Sequence, residues 1–399
     1  MKTIGIIREE KKPYDFRTPL TPVQCIELMQ TYQDVKVVVQ TSPHRCFKDE
    51  DYSSLGIEVM EDMSGCDILL GIKEVPVYHL VAGKTYLIFS HTIKKQSYNI
   101  KMLRHIIENK IRLIDYETLV WDSGNRIIGF GRFAGIVGSH YAFLMWGKRN
   151  GLYQMKYANE CKDMNELYAQ YEGLHFKNMK IVLCGDGRVA HGVMEFMKKL
   201  KIHHVTPEEF LENEYEEAVY VQLRSEDYYV RRDEREWDKS DFYKHPEEYE
   251  TRFEPYYKEA DLLINAVFWK EGIVPFFTKE QMKSRDFRIR VISDITCDIP
   301  GPLPSTIKST TIDNPIYGYN QHLNAETQPY QKPYIDVQAV GNLPCELPVD
   351  ASFEFGEQLL RHVLPNLLIE DKGDIIKNAT IAENGHLTDK YKYLTDYVA

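Results

Sequence analysis

The stretch Met179-Lys180-Ile181-Val182-Leu183-Cys184-Gly185-Asp186-Gly187-Arg188-Val189-Ala190-His191-Gly192 decides the fold. An apolar run, Met179–Cys184, leads directly into Gly-x-Gly-x-x-Ala, and Val189–Leu200 then reads as a helix. In a strand–turn–helix unit of this kind the first glycine permits the tight turn out of the strand. The second lets the backbone approach a pyrophosphate, and the small third residue lets the helix pack closely. The helix N-terminus then presents free N–H groups and the positive end of its dipole to phosphates. Gly185, Gly187, Arg188 and Val189 are therefore candidate dinucleotide-binding residues. The motif ordinarily includes an acid about 20 residues on, at the next strand end, that holds the adenosine ribose. Here that region reads His203-His204-Val205-Thr206-Pro207-Glu208. Glu208 or Glu209 is the available acid, and Pro207 interrupts the strand end. NAD is the expected cofactor, and NADP is left open.

Outward from this unit the chain continues to alternate. Asp261–Val267 and Arg290–Ile295 read as further strands, and Ile136–Arg149 as a long apolar helix leading into the domain. Upstream, Thr3–Ile7, Val35–Gln40, Cys66–Ile72, Tyr86–Ser90 and Ile111–Asp115 read as strands, with helices at Thr18–Tyr32 and Tyr98–Asn109. Strands alternating with helices indicate α/β architecture with mostly parallel sheets. The expected fold is two Rossmann-like domains with a cleft between them. Residues 1–135 and about 345–399 would form the substrate domain, completed by an amphipathic C-terminal helix at Ser352–Leu368 and ending in a polar tail. Residues 136–344 would form the dinucleotide domain. Residues 208–259, dense in Glu, Asp, Arg and Tyr, read as an insertion of solvated helices.

Bulk composition narrows the function. With 43% hydrophobic and 27% charged residues the chain can bury a core. A net charge of −11 argues against nucleic acid or an anionic membrane as partner. No apolar run approaches the ~20 residues of a membrane span. No basic stretch followed by an apolar one opens the chain, so a cytoplasmic protein is expected. The 7 cysteines are scattered without a CxxC pair, which suggests reduced thiols and no metal site.

In open α/β sheets ligands bind beyond the carboxyl ends of the strands. Arg8, Lys73, Glu74, His91, Lys94 and Glu117 follow strand ends in the first domain, and Asp294 and Thr296 do so in the second. Cations beside a histidine suit carboxylate recognition combined with proton transfer near neutral pH.

The segment Arg8–Pro22, REEKKPYDFRTPLTP, resembles the N-terminal signature of the alanine dehydrogenase/transhydrogenase superfamily, as do Gly71-Ile72-Lys73-Glu74 and the strand ending in His91. Within that superfamily the chain resembles the lysine-forming saccharopine dehydrogenases. The features are His91-x-x-Lys94, the Glu117 region, Phe130-Gly131-Arg132-Phe133-Ala134-Gly135, and Leu343-Pro344-Cys345-Glu346-Leu347-Pro348. The resemblance implies an NAD(P)-dependent enzyme acting on an amino-acid CH–NH group, with an amino-acid or 2-oxo-acid substrate, as monomer or homo-oligomer. It implies Lys73 and His91 as the acid–base pair, with Arg17 and Arg126 on substrate carboxylates and Phe130 lining the same pocket. Glu74 and Glu117 would tune the charge around the pair, and Lys94 would stand with them among the substrate-binding residues. Thr296, Cys297 and Asp298 would line the substrate side of the cofactor junction. Asp294, Ile295, Val340, Gly341, Asn342 and Leu343 would line its cofactor side.

Two positions depart from the family pattern. Asn125 stands where an arginine is common, and Gly341 stands where an aspartate pairs with the lysine matched by Lys94. A missing buried counter-ion raises the cost of charging that lysine. Two alternatives therefore stay beside the saccharopine reading: an alanine-dehydrogenase-like enzyme, and a catalytically reduced dinucleotide-binding paralogue.

Overall fold

In the computed structural model, which describes all 399 residues, the apolar runs of the N-terminal segment form β1 (Lys2–Ile6), β2 (Val35–Gln40), β3 (Glu58–Met60), β4 (Ile68–Leu70), β5 (Thr85–Ile88) and β6 (Arg112–Asp115). They lie side by side as β3-β2-β1-β4-β5-β6, and every neighbouring pair is parallel. Parallel pairing requires crossovers, and the intervening helices include α1 (Pro22–Thr31) and α2 (Ile100–Glu108). α1 begins where the sequence supplies a capping box: Thr21 accepts from the Gln24 N–H while Gln24 accepts from that of Thr21, with Pro22 in the first turn. Both faces of the sheet are buried, by one apolar cluster around Ile4, Leu70, Tyr116 and Phe355 and another around Leu69, Tyr86, Leu103 and Ile106.

The chain divides into two compact units, Met1–Phe130 with Pro348–Ala399, and Gly131–Leu347. The second opens on α3 (Gly131–Asn150), which starts five residues before the expected position 136. Its glycines explain the early start. A Cβ on Gly135 would lie 2.1 Å from the Val189 carbonyl oxygen, and one on Gly192 would lie 2.1 Å from that of Arg132. α3 therefore crosses α4 (Arg188–Lys199) backbone to backbone, over turns that include residues 131–135.

The second sheet contains β7 (Lys180–Cys184), β8 (His203–Val205), β9 (Val219–Leu223), β12 (Leu262–Asn265), β13 (Val291–Asp294), β14 (Ile316–Asn320), β15 (Ala325–Thr327) and β16 (Ile335–Gln338). A separate hairpin pairs β10 (Tyr229–Arg231) with β11 (Tyr249–Thr251). The order is β15-β14-β16-β13-β12-β7-β9-β8. The strands from β16 to β8 are parallel, while β14 runs antiparallel to both neighbours.

Segment 208–259 corrects the expectation of solvated helices. It contributes β9 to the sheet, between β7 and β8. It also buries Phe210, Tyr228, Tyr229, Phe242, Tyr249 and Phe253 in the core of the second unit. Its charges mask an aromatic pattern spread over short elements, too irregular for either period to register.

The C-terminal helix Pro348–Gln358 continues through a π-helical turn, Leu359–Val363, into Leu364–Leu368. β17 (Thr380–Glu383) adds antiparallel to β6 and pairs with β18 (His386–Leu387), completing an eight-stranded first sheet. Ile381, Ala382 and Leu394 are fully buried there, which anchors a segment whose composition is mostly polar. No helix is long and apolar enough to cross a membrane, and all seven cysteines are free thiols.

Candidate active site

Because β1, β4, β5 and β6 are parallel neighbours, the loops leaving them emerge on one edge. That edge brings together Lys11, Lys73, Glu74, His91, Lys94 and Glu117. Glu74 is the hub. Its Oε1 lies 2.8 Å from His91 Nδ1, and Lys11 Nζ lies 2.8 Å from both of its oxygens. Burial pushes the Glu74 carboxyl up, but the His91 and Lys11 contacts outweigh it and hold the group at about 2. The anion therefore fixes the His91 ring through Nδ1. His91 itself has a left-handed backbone, φ 51°, rare outside glycine and asparagine.

Glu117 is the second hub. Arg126 Nη2 donates to its Oε1 at 2.6 Å and Lys94 Nζ lies 3.3 Å from the same oxygen. Its carboxyl is held low despite burial, by Lys94 and then Arg126. Its Oε2 is buried and has no hydrogen-bond partner. Arg126 is exposed, 52% for its side chain, and so is Lys94.

Lys73 takes no part in the ion pairs of either hub. Burial lowers its pKa first and the Arg17 charge adds to this, while Asp15 and Glu74 oppose. Its backbone N–H donates to Glu9 Oε2 at 2.8 Å.

Arg17 occupies a different setting from the one the resemblance implies. Its guanidinium makes a two-point ion pair with Asp15, 2.9 Å from Nε to Oδ1 and 2.5 Å from Nη2 to Oδ2. Both side chains are only 2% exposed. The Arg17 guanidinium lies 4.1 Å from the centroid of the Phe130 ring, which stacks on Phe355 at 4.5 Å. Burial raises the Asp15 carboxyl, yet Arg17 holds it well below the ordinary range. Lys11, Asp15 and Glu9 escaped the reading of the sequence. The only signal was the run Glu9–Arg17 itself, where charges occur too densely to rank.

In the second unit, β7, β12, β13 and β16 end level with one another, with Asn265 opposite both Cys184 and Asp294, and Ser293 opposite Gln338. Gly185, Ile295 and Val340 follow those ends. Gly185 has φ 122°, and a Cβ there would lie 2.6 Å from the Ala266 carbonyl oxygen, so the turn needs glycine. Gly187 differs: a Cβ would meet nothing within 4 Å. It N-caps α4 with no side-chain capping bond, so the first-turn N–H groups face an open cradle. Arg188 is exposed and Val189 half-buried beside it. An open cradle over an uncapped helix N-terminus fits a dinucleotide pyrophosphate.

Glu209 does not match the ribose acid. It is engaged in a capping box with Thr206, because Pro207 starts a helix there, and only Glu208 remains exposed without that task. Asp294 fastens the loop that follows β13. It is fully buried and accepts from Asn265, Cys297 N–H and Thr306. Ile295 packs over Gly138, and Val340 and Leu343 are 2% exposed. Asn342 and Thr296 are half-buried, with Thr296 Oγ1 donating to the Val267 carbonyl. Asp298 and Gly341 are exposed. Cys297 is half-buried with φ 49°, and burial followed by Asp294 pushes its thiol up to about 12. No group of side chains could hold a metal ion.

The description "Alanine dehydrogenase/PNT, N-terminal domain" matches residues 5–137. The α-aminoadipic semialdehyde synthases of Mus musculus and Arabidopsis thaliana are each 28% identical over 98% of this chain, which spans about half the length of those relatives, 47% and 41%. The saccharopine dehydrogenase [NAD(+), L-lysine-forming] of Candida glabrata is 25% identical over 90% of this chain and 92% of its own length. Among solved structures, an L-alanine dehydrogenase aligns with a TM-score of 0.66 at 14% identity, covering 100% of both chains. The transhydrogenase from Sinorhizobium meliloti aligns with a TM-score of 0.62 at 11% identity, over 97% of this chain and 100% of its own. At those identities the structural likeness concerns the fold alone: two Rossmann-like α/β units. In sequence the chain is thus similar to α-aminoadipic semialdehyde synthases and to lysine-forming saccharopine dehydrogenases, and its residues 5–137 match the alanine dehydrogenase/PNT N-terminal domain.

Proposed function

We propose that this chain is a nicotinamide-dependent oxidoreductase that cleaves an N-substituted amino acid of the saccharopine type to an amino acid and a 2-oxo acid. The observation that carries the reading is the double hub. His91 is oriented by a buried anion, Lys73 has a lowered pKa, and Glu117 keeps one buried oxygen without a donor. Exposed Arg126 and Lys94 offer charge to substrate carboxylates, while Glu117 Oε2 offers an acceptor to a cationic substrate nitrogen.

Gly185, Gly187, Arg188 and Val189 would hold the dinucleotide. When bound, the nicotinamide supplies the hydride acceptor. Lys73, destabilised as a cation, takes the proton from the substrate's secondary amine. His91, held by Glu74 through Nδ1, then takes a proton from the water that adds to the imine carbon. It returns that proton to the leaving nitrogen, and then takes up the hydroxyl proton as the C–N bond breaks and the carbinolamine collapses to the carbonyl. Such positioned proton transfer typically contributes ~10²–10⁴-fold in rate. Arg17, buried against Asp15, orders the Phe130 wall of the pocket, and a direct role on substrate would require it to leave that pair.

The test is NADH oxidation with lysine plus 2-oxoglutarate, then with pyruvate plus ammonia, each repeated with NADPH. Turnover with the first pair supports the reading. Turnover with the second alone would replace it by an alanine-dehydrogenase-like activity. One residue favours a further alternative, a dinucleotide-binding paralogue without turnover: Gly341 stands where the related pattern has an acid. That reading expects NADH to bind while neither pair reacts.

A further inference from the structure

Two buried carboxylates outside the proton-transfer pair hold the backbone of the loops that carry it. Glu9 Oε1 accepts the Ile72 N–H at 2.6 Å and Oε2 accepts the Lys73 N–H at 2.8 Å. One carboxylate thus spans two successive peptide N–H groups at the end of β4, from a residue 9% exposed at the end of β1. Asp115, fully buried at the end of β6, does the same across two loops. Its Oδ1 accepts the Glu117 N–H at 2.7 Å. Its Oδ2 accepts the Ser90 N–H at 3.2 Å and also the Ser90 hydroxyl. Ser90 immediately precedes His91, whose φ of 51° needs a firm anchor.

We propose that Glu9 and Asp115 are positioning residues for the reaction: Glu9 sets the backbone of Lys73, and Asp115 ties the His91 loop to the Glu117 turn. This rests on the acid–base roles proposed above. The physical reason is reach. The three loops leave adjacent strands, and the backbone ladder between the β4 and β5 loops ends with Phe89 N–H donating to the Ile72 carbonyl at 3.0 Å. Their separation is set by whatever bonds their N–H groups, and a buried carboxylate is a rigid two-pronged acceptor for them.

The test uses the full chain with Glu9→Gln, Glu9→Asp and Ser90→Ala, the last removing the hydroxyl part of the Asp115 clamp together with the Ser90 Oγ contacts to Thr92. In Glu9→Gln one acceptor becomes an NH2 group opposing an N–H. Amide exchange at Ile72 and Lys73 should then rise about tenfold, as expected for one lost hydrogen bond. kcat should fall about 10- to 100-fold with NADH affinity unchanged, as displaced reacting groups require. Glu9→Asp keeps the carboxyl group but falls one methylene short, so it should not restore kcat. Ser90→Ala should loosen exchange at His91 and lower kcat without moving exchange at Lys73. Unchanged exchange at both Ile72 and Lys73 in Glu9→Gln overturns the clamp, and so does recovery of kcat by Glu9→Asp. A wild-type chain with no turnover on any substrate counts against the proposed activity, while the exchange measurement still decides the clamp.

Discussion

Glu346, in the Leu343–Pro348 motif, is fully buried. Its Oε2 accepts from the Tyr141 hydroxyl at 2.7 Å, and its Oε1 has no partner. Burial pushes the carboxyl from 4.5 up to about 8, against the Tyr141 and Asn159 hydrogen bonds. The sign follows from linkage. Between those two values the folded chain keeps a proton that the unfolded chain releases, so stability falls as pH rises. The slope is at most about 1.4 kcal/mol per pH unit, and the whole span amounts to roughly 5 kcal/mol. Below the lower value both states are protonated and Glu346 contributes nothing; above the upper value the full cost is present. Glu346→Gln keeps the shape and the acceptor for Tyr141 but cannot ionise. The variant should therefore gain on wild type steadily from about pH 5 to about pH 8 and then hold a constant advantage. Urea denaturation followed by tryptophan fluorescence suits the measurement, because Trp146, Trp237 and Trp269 lie in the same unit as Glu346. A stability difference that stays flat across this range, or that shrinks as pH rises, would refute the account of Glu346 as a proton-bearing buried acid.

The glycine loop gives a paired prediction. Gly185→Ala should cost about 2 kcal/mol or more in a thermal melt, from its positive φ and the 2.6 Å approach to Ala266. Gly187→Ala should melt like wild type yet weaken NADH binding by about tenfold or more, since its Cβ would occupy the open cradle. Equal effects of the two on melting would mean the cradle is not open. Gly341→Asp should be tolerated within about 0.5 kcal/mol, because the nearest atom to a Cβ is Cys297 Sγ at 3.9 Å. If the absent acid limits turnover, kcat rises; an unchanged kcat shows that Gly341 is not limiting. Arg149→Met should cost about 3–5 kcal/mol in urea, because it strands Asp336, whose Oδ2 is 2.8 Å from Arg149 Nη1 and whose side chain is 1% exposed. Adding Asp336→Leu should recover part of that loss.

The sequence by itself determined the architecture wherever one short-range pattern sufficed. The run Met179–Gly192 specifies strand, glycine turn and helix, since turn geometry and helix dipole are local. The alternation of β1 to β6 with helices likewise forces parallel strands whose polar ends, Lys73, Glu74, His91 and Glu117, share an edge. Local pattern failed where burial is assembled from distant pieces. Segment 208–259 reads as solvated because its aromatics are interleaved with charge, yet β9 and Phe242 belong to the core. The strand Thr380–Glu383 is invisible in a polar tail because its partner, β6, lies over 260 residues earlier. Tertiary structure alone decided how each ionisable group is spent. Arg17 is committed to Asp15, Glu209 to Thr206 and Asp294 to its own loop, while Glu74 is the anion that His91 and Lys11 share. Sequence names the charges, but their partners and desolvation, which set their chemistry, are properties of three-dimensional distance.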